Sequence, residues 1–276
     1  MREPAWTKAL RWLGLALVVI WSAFPILLMV LSSLKPAREI FVFPPRLLFV
    51  PTFENYAALV ARWPEFFSAL WNSAVITIGA TALTVVATTL AGYVYARCRS
   101  RLLAGSAFFT IFIRMLPPIV ITLPLFPIVN WLRLNDTHLI LIVLYATFFV
   151  SLNTWIMKAF IDQIPKELDE AAIIDGASLF RVLRHVVIPL SVQGMIAAST
   201  FVLIFSWNEF LFAFIFTTTR AKTAPLILSE MMGALDGVEW GVLFAAATVQ
   251  LLPVLVFVVA VQKYVIAGMT AGSLKG

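Results

Sequence analysis

From Trp12 to Leu34 the chain carries no charged residue. A bilayer core of about 30 Å needs roughly 20 apolar helical residues to span it, and this run is long enough. A cleaved secretory leader would have a shorter apolar core and a small-residue cleavage site. Ser32-Ser33-Leu34-Lys35 offers no convincing site, so the segment is expected to remain as a membrane span. Five further apolar segments follow, placing spans at about 10–34, 70–96, 104–130, 138–160, 195–217 and 241–265. A soluble domain carries about a quarter charged residues, whereas this chain has 12% charged and 62% hydrophobic residues. The expectation is an all-α, polytopic membrane protein with six transmembrane helices in one domain over 1–276. The formal charge of +6 then reflects lysines and arginines flanking the spans, and no nucleic-acid partner is expected.

Each span carries its own constraints. Gly79, Thr84, Thr88 and Gly92 give the second span small residues, which let helices approach closely in lipid. Pro117, Pro118, Pro124 and Pro127 predict a third span that is kinked or partly unwound. Backbone freed in this way is tolerated only where protein or a watery cavity satisfies it. With six spans and a cytoplasmic N-terminus, twelve of the 20 lysines and arginines fall inside, seven fall outside, and Arg114 lies within a span. That bias follows the positive-inside rule. It puts both termini and the 161–194 loop in the cytoplasm of a multi-pass protein of the cell (inner) membrane. Cys98 is the only cysteine, so no internal disulfide can form, and His138 and His185 are too sparse to suggest a metal cluster.

The 161–194 loop is a charged island. Glu167, Asp169, Glu170 and Asp175 cluster on it, ahead of Arg181, Arg184 and His185. Pro165 suits the start of a helix, and Leu168, Ala171 and Ala172 give that helix one apolar stripe. Gly176 should break it, because glycine enters the left-handed region without steric cost. Ser178 can cap a second arm whose Leu179, Val182, Leu183 and Val186 share a face, and Pro189 should end it. A helical hairpin results.

Glu170-Ala171-Ala172, then Asp175-Gly176-Ala177, then Ile188-Pro189-Leu190, resembles the E-A-A-x-x-D-G-A…I-x-L-P loop of ABC importer permeases. Ile188 stands where that family has leucine, a swap of similar volume. Thr52-Phe53-Glu54-Asn55-Tyr56 resembles the T-x-E-N-Y signature after the first span in carbohydrate-type members, and Ala271–Gly276 resembles their A-G-x-x-K-G ending. From pattern alone the loop is equally a generic amphipathic hairpin, and Thr52–Tyr56 a surface turn with a short helix.

The resemblance covers nearly the full length and implies a carbohydrate-type, binding-protein-dependent ABC importer permease of the type I fold. It implies that Glu170, Ala171, Ala172, Asp175, Gly176, Ile188 and Pro189 couple the spans to an ATPase. It implies that the tail residues Ser273, Lys275 and Gly276 touch the ATPase. A second permease subunit in a heterodimeric pair, two ATP-binding subunits and an extracytoplasmic solute-binding protein are the implied partners, together with membrane lipid. Transport by alternating access of a sugar, as an oligosaccharide, disaccharide or polyol, is the implied function. A sugar phosphate or another small polar solute is the alternative cargo.

A Walker A loop needs a Gly-Lys-Ser/Thr run, and the chain contains no Gly-Lys pair. ATP and magnesium are therefore expected on a partner subunit, with no cofactor in this chain. No G-x-S-x-G elbow or H-E-x-x-H helix is present either, so an enzyme is not expected. Arg114 and Glu209 are ionisable residues inside expected spans, where a charge costs at least ~2.5 kcal/mol on insertion scales. Trp207-Asn208-Glu209-Phe210 resembles the W-N-E/D-F motif of sugar-type permeases. It offers a stacking face at Trp207 and hydrogen-bonding groups at Asn208 and Glu209. These three are expected to line the translocation path with Arg114 near its wall. The structural alternative is that Glu209 pairs with Arg114, or sits near the outer interface, and only assembles the helices. Asn72, Asn130 and Asn153 are expected as polar glue between helices. A secondary transporter would need proton or sodium sites in the membrane, for which Glu209 alone is thin support.

Overall fold

The computed structural model describes residues 5–44, 46 and 48–273, and every regular element among them is helical. In order these are α1 (Ala5–Ser33), a short 3-10 turn (Ala37–Glu39), α2 (Glu54–Arg62), α3 (Glu65–Arg97), α4 (Arg101–Arg114), α5 (Pro118–Trp131), α6 (His138–Ile161) and α7 (Lys166–Ile174). They continue with α8 (Leu179–Val182), a π turn (Leu183–Val187), α9 (Ile188–Leu190), α10 (Val192–Trp207), α11 (Leu211–Phe216), α12 (Ala224–Met232) and α13 (Trp240–Ser273). Among the described residues four helices are long and apolar enough to cross a bilayer, and two bent pairs bring the number of possible spans to as many as six.

The bends have causes in the sequence. α4 and α5 meet at 97° across Met115–Pro117. Pro117 is the N-cap of α5 and Pro118 its first residue, so the paired prolines end one helix and start the next. Pro124 and Pro127 lie inside α5 without breaking it. At 14 residues each, α4 and α5 are about 21 Å long, too short to cross singly. The other bent pair joins Leu179–Leu190 to Val192–Trp207 at 75°. Separately, the expected fifth span is broken where α10 stops at Trp207 and α11 begins at Leu211.

Two compact units make up the chain, Met1–Phe66 with Ile227–Pro253, and Phe67–Leu226 with Val254–Gly276. In the first, the Thr52–Tyr56 motif closes the C-terminus of α1. Asn55 donates to the Ser33 and Lys35 carbonyls at 2.8 Å each. The Tyr56 hydroxyl bonds Ser33 Oγ at 2.8 Å, and Thr52 N–H donates to the Leu34 carbonyl. The Ser33 carbonyl is one that the helix itself leaves orphaned, and those of Leu34 and Lys35 follow just past its end. Gly241 packs so closely on Asn55 that a Cβ would stand 2.2 Å from its Oδ1.

The second unit is built on α6. Leu141, Tyr145 and Phe149 of α6 pack with Ile76, Val129, Val202, Phe212 and Phe216. Nearer the hairpin a second cluster joins Met157, Ile161 and Ile164 to Val182, Val187 and Ala198. Small residues set the spacing: a Cβ on Gly92 would fall 2.8 Å from Met157 Cβ, and one on Gly194 would fall 2.7 Å from Phe160 Cβ. Asn153 is buried and donates to the Phe149 carbonyl of its own helix. Asn130 accepts from Asn135 in the turn after α5.

Candidate functional site

The charged loop folds as the hairpin its punctuation predicts, with adjustments at Pro165, Ser178 and Pro189. Pro165 is the N-cap of α7 rather than its first residue. Ser178 occupies the N-cap of α8 in extended backbone without a side-chain cap bond. Gly176 adopts φ +83 with open space around it, so the turn favours glycine for backbone reasons alone. Its N–H donates to the Ile173 carbonyl, and Ala177 N–H to Ala172, which closes α7.

Pro189 does not end the second arm, which runs on to Leu190. Proline cannot donate to the carbonyl four residues back. The preceding residues are instead wound as a π turn, with Ile188 N–H donating to Leu183 O. Within the hairpin Glu170, Ala171, Asp175, Gly176 and Pro189 are exposed, whereas Ala172 and Ile188 pack inward against the Val182–Val187 cluster. Ile174 (85% exposed) and Phe180 (70%) head an apolar edge that also includes Ile173 and Leu179.

A clamp that sequence reasoning missed holds this hairpin to the helices. Arg97 Nε at the end of α3 donates to Asp169 Oδ2 at 2.7 Å, with both side chains nearly buried. The same guanidinium donates to the Ile161 and Ile164 carbonyls, at 3.3 and 3.1 Å, where α6 ends. One side chain thus ties together α3, α6 and α7. The only signals in the sequence were an arginine closing one helix and one of four clustered acids on another, 72 positions apart.

The break at 208–210 is organised by Glu209. Its Oε1 accepts from Phe212 N–H at 2.9 Å and its Oε2 from Ala213 N–H at 3.4 Å, which satisfies orphaned amides of α11. The Tyr145 hydroxyl lies near enough to interact with this carboxylate but makes no well-formed hydrogen bond to it. Trp207 is buried, while Asn208 is exposed and donates to the Ile204 carbonyl at 2.8 Å. Arg114 lies over the Phe148 ring at 5.8 Å, with one guanidinium nitrogen buried and unpartnered. Among the described residues no ion pair joins Arg114 to Glu209. The two are linked through rings: Phe148 packs edge-on against Phe212, whose amide bonds Glu209.

At the opposite end of α6 from the hairpin, Asp136 accepts from the four consecutive amides of Thr218–Ala221, at 2.9–3.2 Å, and from the Thr219 hydroxyl. Burial alone would raise its pKa, but the Arg220, Ala221 and Thr218 amides with the Thr219 hydroxyl outweigh it and hold the carboxyl well below the usual range. Beside it Asn72 donates to the Arg220 and Lys222 carbonyls, and its oxygen meets His138 Nε2 at 2.7 Å. Of the tail, Ser273 ends α13, and Lys275 and Gly276 lie outside the described residues.

A family model described as the binding-protein-dependent transport system inner membrane component matches residues 85–271. That stretch contains the hairpin, its clamp partner Arg97 and the broken span. The chain is 33% identical to the trehalose/maltose transport system permease protein MalG of Thermococcus litoralis over 280 residues, covering 100% of both chains. It is 36% identical to the trehalose transport system permease protein SugB of Mycobacterium tuberculosis over 98% of each. It is 31% identical to the sulfoquinovosyl glycerol transport system permease protein SmoH of Agrobacterium fabrum, over 98% of this chain and 94% of that one. One chain of a bacterial ABC transporter involved in the import of the acidic polysaccharide alginate superposes with a TM-score of 0.79, over 96% of this chain and 98% of that one. At 20% identity this last likeness speaks for the fold alone. The chain belongs to the family of inner membrane components of binding-protein-dependent transport systems, and is the permease subunit of an ATP-driven importer.

Proposed function

We propose that this permease moves a sugar inward by alternating access and receives the work of ATP through its 161–194 hairpin. The observation that carries the coupling role is the hairpin's two-sidedness. Ile173, Ile174, Leu179 and Phe180 stand exposed on one edge, while Arg97–Asp169 and the Val182–Val187 cluster lock the other. An exposed apolar patch rimmed by charge is the form of a docking surface. A rigid inner face lets a push on it reach α3, α6 and α10.

Two ATP-binding subunits would supply that push, with ATP and magnesium bound on them. An extracytoplasmic binding protein would deliver the solute, and a second permease subunit would complete the path. Both termini and the hairpin would face the cytoplasm, as the lysine and arginine bias favours. The tail residues Ser273, Lys275 and Gly276 would touch the ATPase. Asn208, exposed at the break, would contact the solute, with Glu209 and the buried Trp207 shaping the wall and Arg114 behind it.

The relatives' names, for trehalose, maltose and sulfoquinovosyl glycerol, support a sugar or polyol. The test is uptake by the reconstituted complex with its binding protein, comparing maltose, trehalose, a polyol and a sugar phosphate. ATP-dependent uptake of an uncharged sugar is the expected result. Uptake of the sugar phosphate alone would give the alternative cargo, and uptake driven by an ion gradient without ATP would overturn the coupling role.

A further inference from the structure

The end of the membrane bundle that carries the hairpin also holds a cavity of about 640 Å³ that the coupling role does not use. It opens where α3 gives way to α4 and extends along the last turns of α6. Leu103, Ala104, Ala107 and Phe108 form its apolar wall, and Tyr95, Trp155, Arg99, Arg101 and Lys158 stand around it. That volume lies within the range of ligand pockets, about 300–1,000 Å³.

The cations around it differ in what they already hold. Arg97, next in sequence, is committed to Asp169 and two carbonyls. Lys158 is paired with Asp162. Arg99 and Arg101 are exposed and have no carboxylate partner among the described residues. Two guanidiniums without a carboxylate partner therefore line a largely apolar pocket beside Tyr95 and Trp155, residue types enriched at membrane interfaces.

We propose that this cavity binds an anionic phospholipid from the surrounding bilayer. Its phosphate would lie between Arg99 and Arg101, and an acyl chain would run along the Leu103–Phe108 wall. Arginine presents a planar fork of donors that matches phosphate geometry, and basic pockets between transmembrane helices are where anionic headgroups bind. A zwitterionic lipid brings a cation with its phosphate and offsets less of the two guanidiniums' charge, and a soluble anion would leave the apolar wall wet. The proposal needs only that the chain is membrane-embedded, and stands apart from the cargo and the coupling route.

Cys98, the chain's only cysteine, is exposed and lines the cavity, so it reports occupancy. The complete transporter is placed in nanodiscs of phosphatidylcholine alone or with phosphatidylglycerol, and labelling of Cys98 by a neutral maleimide is followed by mass on this subunit. Phosphatidylglycerol should slow labelling, and the protection should fall about fivefold for each arginine removed in Arg99→Gln and Arg101→Gln. The charge-retaining variant R99K/R101K should keep most of it. Equal protection in wild type and the double glutamine variant would show a bulk surface effect and overturn the site. Protection by soluble glycerol phosphate in neutral nanodiscs would make it a site for a free anion, also against the proposal. A thiol unreactive in every lipid would mean that a protein subunit covers the cavity, which contradicts it equally.

Discussion

Glu209 and Asn208 are neighbours with different work. The Glu209 carboxylate caps α11 through Phe212 and Ala213, so Glu209→Ala strands two amides beside the buried Trp207. Losing a cap of this kind costs about 1 kcal/mol, and the variant should show reduced complex yield or melting temperature as well as reduced uptake. Among the described residues Asn208 bonds its own helix, so Asn208→Ala should leave yield unchanged and lower uptake if its side chain meets the solute. Yield and initial rate measured side by side separate the two roles. Asp136 adds a pH signature. Its folded pKa is depressed, so its contribution is fully present above the unfolded value of about 3.9 and is lost as pH falls through the folded value. The melting temperature should therefore fall from about pH 5 downward, and Asp136→Asn should flatten that slope. An unchanged slope would remove Asp136 from the account.

Among the elements, the hairpin depends on one buried pair. Arg97 and Asp169 are almost wholly withdrawn from solvent, and removing one partner of such a pair costs about 3–5 kcal/mol. Asp169→Ala should loosen α7 without unseating α3, since Arg97 keeps two carbonyl acceptors. The expected readout is faster amide exchange over Lys166–Ile174, with α3 protection retained. Unchanged exchange in α7 would show that apolar packing alone holds the hairpin. The elements were legible in the sequence where punctuation is local. Gly176 marks its turn by itself, and Pro117-Pro118 mark the α4–α5 break. What escaped was non-local. Arg97–Asp169 joins residues 72 positions apart, and the 208–210 break follows a glutamate acting forward on its own helix start, which hydropathy alone reads as continuous span.

For the whole molecule, length and apolarity settled the class, and the hairpin motif settled the family, because both are written in consecutive residues. The same reasoning placed Thr52–Tyr56 after the first span, but its task of closing α1 needed the fold to be seen. The central claim is that a left-handed turn, which glycine adopts without strain, carries force from an ATPase into the spans. A side chain at Gly176 meets no neighbour, so the whole effect of substitution is backbone strain at φ +83, about 1–2 kcal/mol for a left-handed residue and more for a β-branched one. The decisive measurement is solute uptake and ATP hydrolysis by the reconstituted complex carrying Gly176→Val, in the same vesicles. The account predicts a complex that assembles and hydrolyses ATP but no longer couples hydrolysis to uptake. Uptake per ATP equal to that of the unmodified complex would contradict it.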